Sequence, residues 1–292
     1  MQKNKNLTNK LKTFTCAFAF CIFAGSAFAT DWPQQIETLN EIFTYFTNQR
    51  GGAFASGLVF YQNEQIVAAE DGEVIINLKE SQNSCMFDSP LGNSIVTVNS
   101  DNLMSVYGNL AQPGDSSRQA LKEGDALGES GNSGWHKPNA GLEYQIADCQ
   151  SKTLINPLIL LPAKGDYPHF VLKNLIVVNK NGYSYRLGST KNIPAGTYSL
   201  YFEQTEHQPP FRMAVLLNGK EIENITYNML KKNGSQLTVD GKSNYYYSTI
   251  FPGQNRQLLA NVTLNRGKAL LVVQSMDLKG NERNFSYSVD VN

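Results

Sequence analysis

From residue 51 onward, apolar positions come in short runs that alternate with polar ones or are rich in β-branched residues, and Gly, Asn, Asp and Pro fill the gaps. That texture predicts strands and turns rather than helices. The runs fall at 57–61, 66–69, 73–78, 94–98, 103–107 and 142–147. Pro157, Pro168 and Lys164-Gly165 interrupt the series over 156–168, marking the exit from a domain. A second series follows at 171–178, 183–187, 196–203, 212–217, 236–239, 245–250, 269–275 and 284–291. Turn formers punctuate it at Asn218-Gly219, Asn233-Gly234 and Gly280-Asn281, the spacing of a β-sandwich of roughly 120 residues. The stretch 31–48 departs from the pattern. There Ile36, Leu39, Ile42, Phe43 and Phe46 recur at helical spacing, and Asp31-Trp32-Pro33 places a capping residue ahead of a proline. The fold class is therefore read as all-β: one N-terminal helical segment at 30–50, a first β domain at 51–163 and a second at 164–292.

The residues before this pattern change the compartment. Lys3, Lys5, Lys10 and Lys12 precede an apolar run over 14–23, and Ala27-Phe28-Ala29 offers small residues where signal peptidase cleaves. The run is short of the ~20 residues that span a bilayer. A signal peptide over 1–29, cleaved after Ala29, makes the mature chain periplasmic or secreted. No later stretch is apolar enough for a transmembrane segment. The full chain holds 25 basic and 25 acidic residues, and losing the four leader lysines leaves a net charge of −4. Nucleic acid is excluded as a partner, because no basic footprint remains. Of the four cysteines, Cys16 and Cys21 leave with the leader. Cys85 and Cys149 are then expected to form a disulfide in an oxidising compartment.

The motifs along the first β domain carry more than strand pattern. Ile66-Val67-Ala68-Ala69-Glu70-Asp71-Gly72-Glu73-Val74, Gly92-Asn93-Ser94-Ile95-Val96-Thr97-Val98 and Val106-Tyr107-Gly108-Asn109-Leu110 follow one another in order. Lys122-Glu123-Gly124-Asp125-Ala126-Leu127-Gly128, Gly131-Asn132-Ser133-Gly134 and Ile155-Asn156-Pro157-Leu158 come after them. In this order and spacing, the segment 51–162 resembles the lysostaphin/LytM-type zinc peptidases of peptidoglycan. Read without the family, the same residues make a β scaffold with tight corners.

The resemblance implies zinc held by an H-x-x-x-D pair and the second His of H-x-H, with two further histidines assisting the attacking water. Here Ala53 and Gly57 stand at the first pair, Glu143 at the third ligand, and Asn109 and Gly141 at the assisting histidines. Ala and Gly have no donor atoms, and catalytic zinc wants three protein ligands. The expectation is a degenerate, non-catalytic domain with no cofactor and no metal. The chain also lacks G-x-S-x-G and P-loop signatures.

The second β domain resembles the immunoglobulin-like domains of exported envelope proteins at Ile193-Pro194-Ala195-Gly196-Thr197-Tyr198, Leu217-Asn218-Gly219-Lys220 and Met276-Asp277-Leu278-Lys279-Gly280-Asn281. Tyr245-Tyr246-Tyr247 is similar to a sugar-stacking patch, though alternating rings on a strand explain it as well. The resemblance implies an exported regulator or scaffold for peptidoglycan hydrolysis, with peptidoglycan or a cell-wall hydrolase as partner. The alternatives are a peptidoglycan- or glycan-binding module, or a structural component of an envelope complex. Candidate groove residues are Tyr107, Asn109, Trp135, His136 and Glu143.

Overall fold

The computed structural model describes residues 30–61, 65–79, 90–112, 114–115, 117–134, 141–165, 170, 172–203, 210–253 and 255–292. The fold is almost entirely β. In the first half, Gly72–Leu78, Asn93–Val98, Leu103–Leu110, Glu143–Asp148 and Thr153–Ile155 lie side by side as an antiparallel sheet. The expected runs at 57–61, 66–69, 73–78, 94–98, 103–107 and 142–147 all contain strands, with bounds shifted by a few residues. Tyr107, Leu110, Tyr144 and Ile146 of this sheet join Ile66 and Leu142 in the core, each fully buried.

The helix expected over 31–48 is not formed. That stretch instead holds an isolated bridge from Gln34 to Ile66, a single 3-10 turn at Leu39–Glu41 and the strand Ile42–Thr44, which pairs with Leu58–Phe60. Two causes are visible. Glu41 folds its carboxylate back to accept from the backbone of Glu37 and Thr38 at 2.7 and 2.9 Å, which closes one turn and stops it. Around it the extended backbone is tied to the sheet domain: Asp31 donates to Ala69 O, Pro33 accepts from Val67 N, and the Trp32 indole donates to Pro162 O. Tertiary pairing overrides the helical spacing. Phe43, inward-facing on a helix, is 39% exposed and meets the exposed Tyr61 edge-on.

The second half is a two-layer sandwich. One layer orders Ser184–Arg186, Ile176–Asn179, Gly196–Glu203 and Arg256–Leu264. The other orders Glu282–Val291, Gly267–Met276, Arg212–Leu217 and Lys220–Asn233. Tyr198, Leu200 and Phe202 from the first layer share a core with Met213, Val215, Leu271 and Val273 from the second. The Asn218-Gly219 pair turns the Arg212–Leu217 hairpin with φ of 50° and 80°, left-handed at both corners as a two-residue hairpin requires. Lys220–Asn233 and Arg256–Leu264 form strands where no run was expected. Their Glu, Asn, Lys and Leu content carries little β propensity; pairing decides them, on both sides for Lys220–Asn233 and along Gly196–Glu203 for the edge strand Arg256–Leu264. The run expected at 245–250 ends as a strand at Tyr246, and Tyr247–Ile250 is one helical turn.

The two halves share a sheet. Thr153–Ile155, last strand of the first half, pairs antiparallel with Met229, Leu230 and Lys231 of the long Lys220–Asn233 strand. Just beyond, Asn156 N donates to Asn228 O, and the Asn156 side chain caps the turn Pro157–Ile159 through Leu158 N. Phe54 of the first half meets Tyr247 and Phe251 of the second, ring centroids 5.5 and 5.9 Å apart.

Candidate functional site

Asn109 sits at the end of the Leu103–Leu110 strand with φ of 63°, a left-handed conformation that Asn adopts more readily than most residues. Its side chain is fully buried. Nδ2 donates to the carbonyls of Gly131 and Gly141 at 2.6 and 2.7 Å, while Oδ1 accepts from Gly134 N at 2.8 Å. Asn109 therefore knits the 131–134 loop and the entry to the Glu143–Asp148 strand onto its own strand end. Ser133 extends the stitching: its hydroxyl donates to Leu110 O and accepts from Asn93 N. Every polar atom of the Asn109 amide is thereby committed to backbone.

Glu143 is also buried. Its carboxylate pairs with Arg50 Nη1 at 3.0 Å and accepts from Gln145 Nε2 at 2.5 Å. Arg50 comes from the small Gln49–Arg50/Ala53–Phe54 hairpin, turned by Gly51-Gly52 with φ of 58° and 82°. Across the ladder Glu143 faces Val59 on one side and Gly108 on the other. Ala53 is exposed.

Gly57 and Gly141 are positions of close backbone approach. A Cβ on Gly57 would collide with the Tyr144 carbonyl and meet Gln145 Cγ at 2.7 Å. One on Gly141 would collide with the Phe60 carbonyl. The ladder itself enforces this, because Phe60 N donates to Leu142 O at 2.9 Å. A zinc ion therefore does not fit the residues at the resembled positions. Ala53, Gly57 and Gly141 bring no donor, and Glu143 is already paired with a guanidinium. Among the described residues, no group of three His, Cys, Asp or Glu side chains is placed to hold a metal.

Tyr107, expected along a groove, is fully buried. Its hydroxyl accepts from Ala69 N at 2.9 Å, and its ring lies 5.3 Å from that of Tyr144. Burial pushes both phenols up, so they stay neutral hydrogen-bonding groups. Glu70 adjoins them, accepting from Ser105 Oγ at 2.6 Å and Asn99 Nδ2 at 2.7 Å. Burial raises its carboxyl above the ordinary range, and the two donors pull it partly back. Trp135, His136 and Cys85 lie outside the described residues. Cys149 is exposed and carries no disulfide among the described residues.

The structure thus brings Asn109, Gly141 and Glu143 together at one strand entry and puts Tyr107 in the core behind them. Arg50, Ser133 and Gln145 belong to the same neighbourhood and escaped the sequence reading. The Gly51-Gly52 turn was the one signal for Arg50, since a tight hairpin returns its arm to the sheet. The Tyr245–Tyr247 run is structural: Tyr245 donates to Glu223 and Tyr247 packs on Phe54 and Phe251.

An antiparallel sheet bearing these motifs in order defines a LytM-type domain. Residues 54–157 match the profile of peptidase family M23, so this part of the chain is an M23 domain. A second family profile matches residues 169–292. A search of curated proteins returned no match. Two solved structures are similar. The NMR solution structure of lysostaphin is 16% identical over 82% of this chain and 94% of that one, with a TM-score of 0.36. The antimicrobial peptidase lysostaphin from Staphylococcus simulans is 15% identical over 85% of this chain and 87% of that one, with a TM-score of 0.35. An M23 domain points to a role at cell-wall peptidoglycan. No described helix is long and apolar enough to cross a membrane.

Proposed function

We propose that the chain is an exported, non-catalytic M23 protein that regulates or scaffolds peptidoglycan hydrolysis, with an immunoglobulin-like second domain. The observation that carries this reading is the closure of the strand entry. At Gly57 and Gly141 backbone carbonyls stand where a side chain would begin, and the amide of Asn109 is bonded to backbone on three sides. A ligand set there needs both new side chains and a displaced ladder. Binding a wall hydrolase asks neither, which favours a partner-directed role.

Two measurements on the chain from Thr30 to Asn292 test it. Metal content is expected well below one zinc per chain, and a pull-down from an envelope extract is expected to recover a peptidoglycan hydrolase whose rate rises on addition of the chain. Stoichiometric zinc with chelator-sensitive cleavage of sacculi would overturn the reading. Sacculus binding with no hydrolase recovered would replace it with a wall-binding module.

A further inference from the structure

We propose that the outer face of the four-stranded layer in the second half carries a binding site for a short glycan. Along Gly196–Glu203 the side chains alternate strictly. Tyr198, Leu200 and Phe202 point into the sandwich core, so Thr197, Ser199 and Tyr201 point out. The partner strand Ile176–Asn179 sets Val178 opposite Ser199. Together with the turn at Lys180-Asn181 and the loop at Pro194–Gly196, these residues line a cavity of about 760 Å³, within the ~300–1,000 Å³ of small-molecule sites.

The walls are fixed in advance. Asn179 Oδ1 accepts from Asn181 N and Tyr183 N at 2.9 and 3.0 Å, which holds the turn on one side. The Tyr198 hydroxyl donates to Pro194 O at 2.7 Å, which holds the loop on the other. The floor is cross-linked to the next strand, Ser199 Oγ donating to Asn261 Oδ1 and Thr197 lying 3.3 Å from the Thr263 hydroxyl. Preorganisation of this kind lowers the ordering that binding would otherwise demand.

The chemistry of the lining selects the ligand. Tyr201, Asn181 and Lys180 all line the cavity, and their phenol, side-chain amide and ammonium groups supply its hydrogen-bonding chemistry. The half-buried Tyr201 ring and Val178, both in the lining, offer apolar surface, with amide and hydroxyl groups around them. A pyranose has this duality, its C–H face apolar and its rim all hydroxyls, and two or three linked rings suit the volume. Among the described residues Lys180 is the one cation in the lining, too little positive charge for a phosphate or nucleotide. The polar lining of Asn179, Asn181, Thr197 and Ser199 argues against a fatty acyl chain. The inference is independent of the proposed regulatory role, because it needs no hydrolase.

The test is calorimetric titration of the chain from Thr30 to Asn292 with chitotriose and, separately, maltotriose. Saturable binding of either, with a dissociation constant below about 1 mM, is expected. Tyr201→Ala should weaken it about tenfold or more and Asn181→Ala severalfold, while Tyr201→Phe, which keeps the ring, should stay within about threefold. If Tyr201→Ala does not fold, Asn181→Ala on the exposed turn decides alone. Absence of binding by both sugars up to about 10 mM, or binding unchanged in the folded variants, overturns the site. Recovery of a hydrolase alongside that result would leave the proposed function standing.

Discussion

At the scale of single residues, the side chains of Asn109 and Glu143 hold loops and strands of the first half together through buried polar contacts. Asn109→Ala would leave the Gly141 carbonyl and the Gly134 amide without their partner, reduce the Gly131 carbonyl to its bond from Gly141 N, and place alanine at a left-handed φ of 63°. Each buried polar group left unmade costs about 1–3 kcal/mol, so urea unfolding should show a loss of about 3 kcal/mol or more. A loss under about 1 kcal/mol would mean the loop is not held through this amide. Arg50→Ala removes the guanidinium from a buried carboxylate. Breaking a buried pair usually costs ~3–5 kcal/mol, but the Arg50 side chain is 34% exposed, so about 2 kcal/mol is expected. A double-mutant cycle with Glu143→Gln should return a coupling of the same sign. Glu70 sets a pH dependence. Its folded pKa is raised by burial from an ordinary 4.5, so the folded state holds the proton more tightly than the unfolded one. The stability it lends is full below the unfolded pKa and is lost as pH rises through the folded pKa. Comparing the unfolding of Glu70→Gln with the parent from pH 4 upward should show the variant gaining relative stability with pH. Asp71 and Asp115, exposed, and Asp148, half-buried, have lowered pKa, act in the opposite sense and lose their small contribution at lower pH.

Among the elements, strands with a clear alternation or a β-branched run were legible and those without one were not. Gly196–Glu203 and Arg212–Leu217 have the bounds expected from their alternation and flanking turns. Lys220–Asn233 was invisible because its buried positions include Glu223, Ile225, Tyr227 and Leu230 among lysines and asparagines. A charged residue on the inner face breaks the pattern that periodicity reads. Helical spacing over 36–46 misled for the converse reason: a 3-10 turn followed by an extended strand also buries residues three apart. Gly219→Val is the sharpest test at this scale. Gly219 has φ of 80° with nothing near its missing side chain, so the cost is backbone strain alone, about 1–2 kcal/mol, and should appear as a lowered urea midpoint at unchanged slope.

For the whole molecule the consequential feature is the ladder between Thr153–Ile155 and Met229–Lys231. It makes one sheet of two domains that composition and proline placement present as separate. Buried residues of both halves belong to a single hydrophobic cluster. Calorimetry is therefore expected to show one cooperative transition for the mature chain, and two resolved transitions would refute the coupling. Phe54→Ala deletes the edge contacts to Tyr247 and Phe251 and should lower that transition, by about 3 kcal/mol for a buried phenylalanine.

The sequence alone determined the β class, the turn positions and the residue types at the resembled zinc positions, because strand periodicity, glycine corners and donor atoms are local properties. It also contained Gly57 and Gly141, but not the reason for them. Only the tertiary structure set the Tyr144 and Phe60 carbonyls against those glycines, turned Asn109 into a staple, paired Glu143 with Arg50 and joined the halves edge to edge. These contacts link residues far apart in the chain, and their geometry follows from strand register, which no single stretch of sequence specifies.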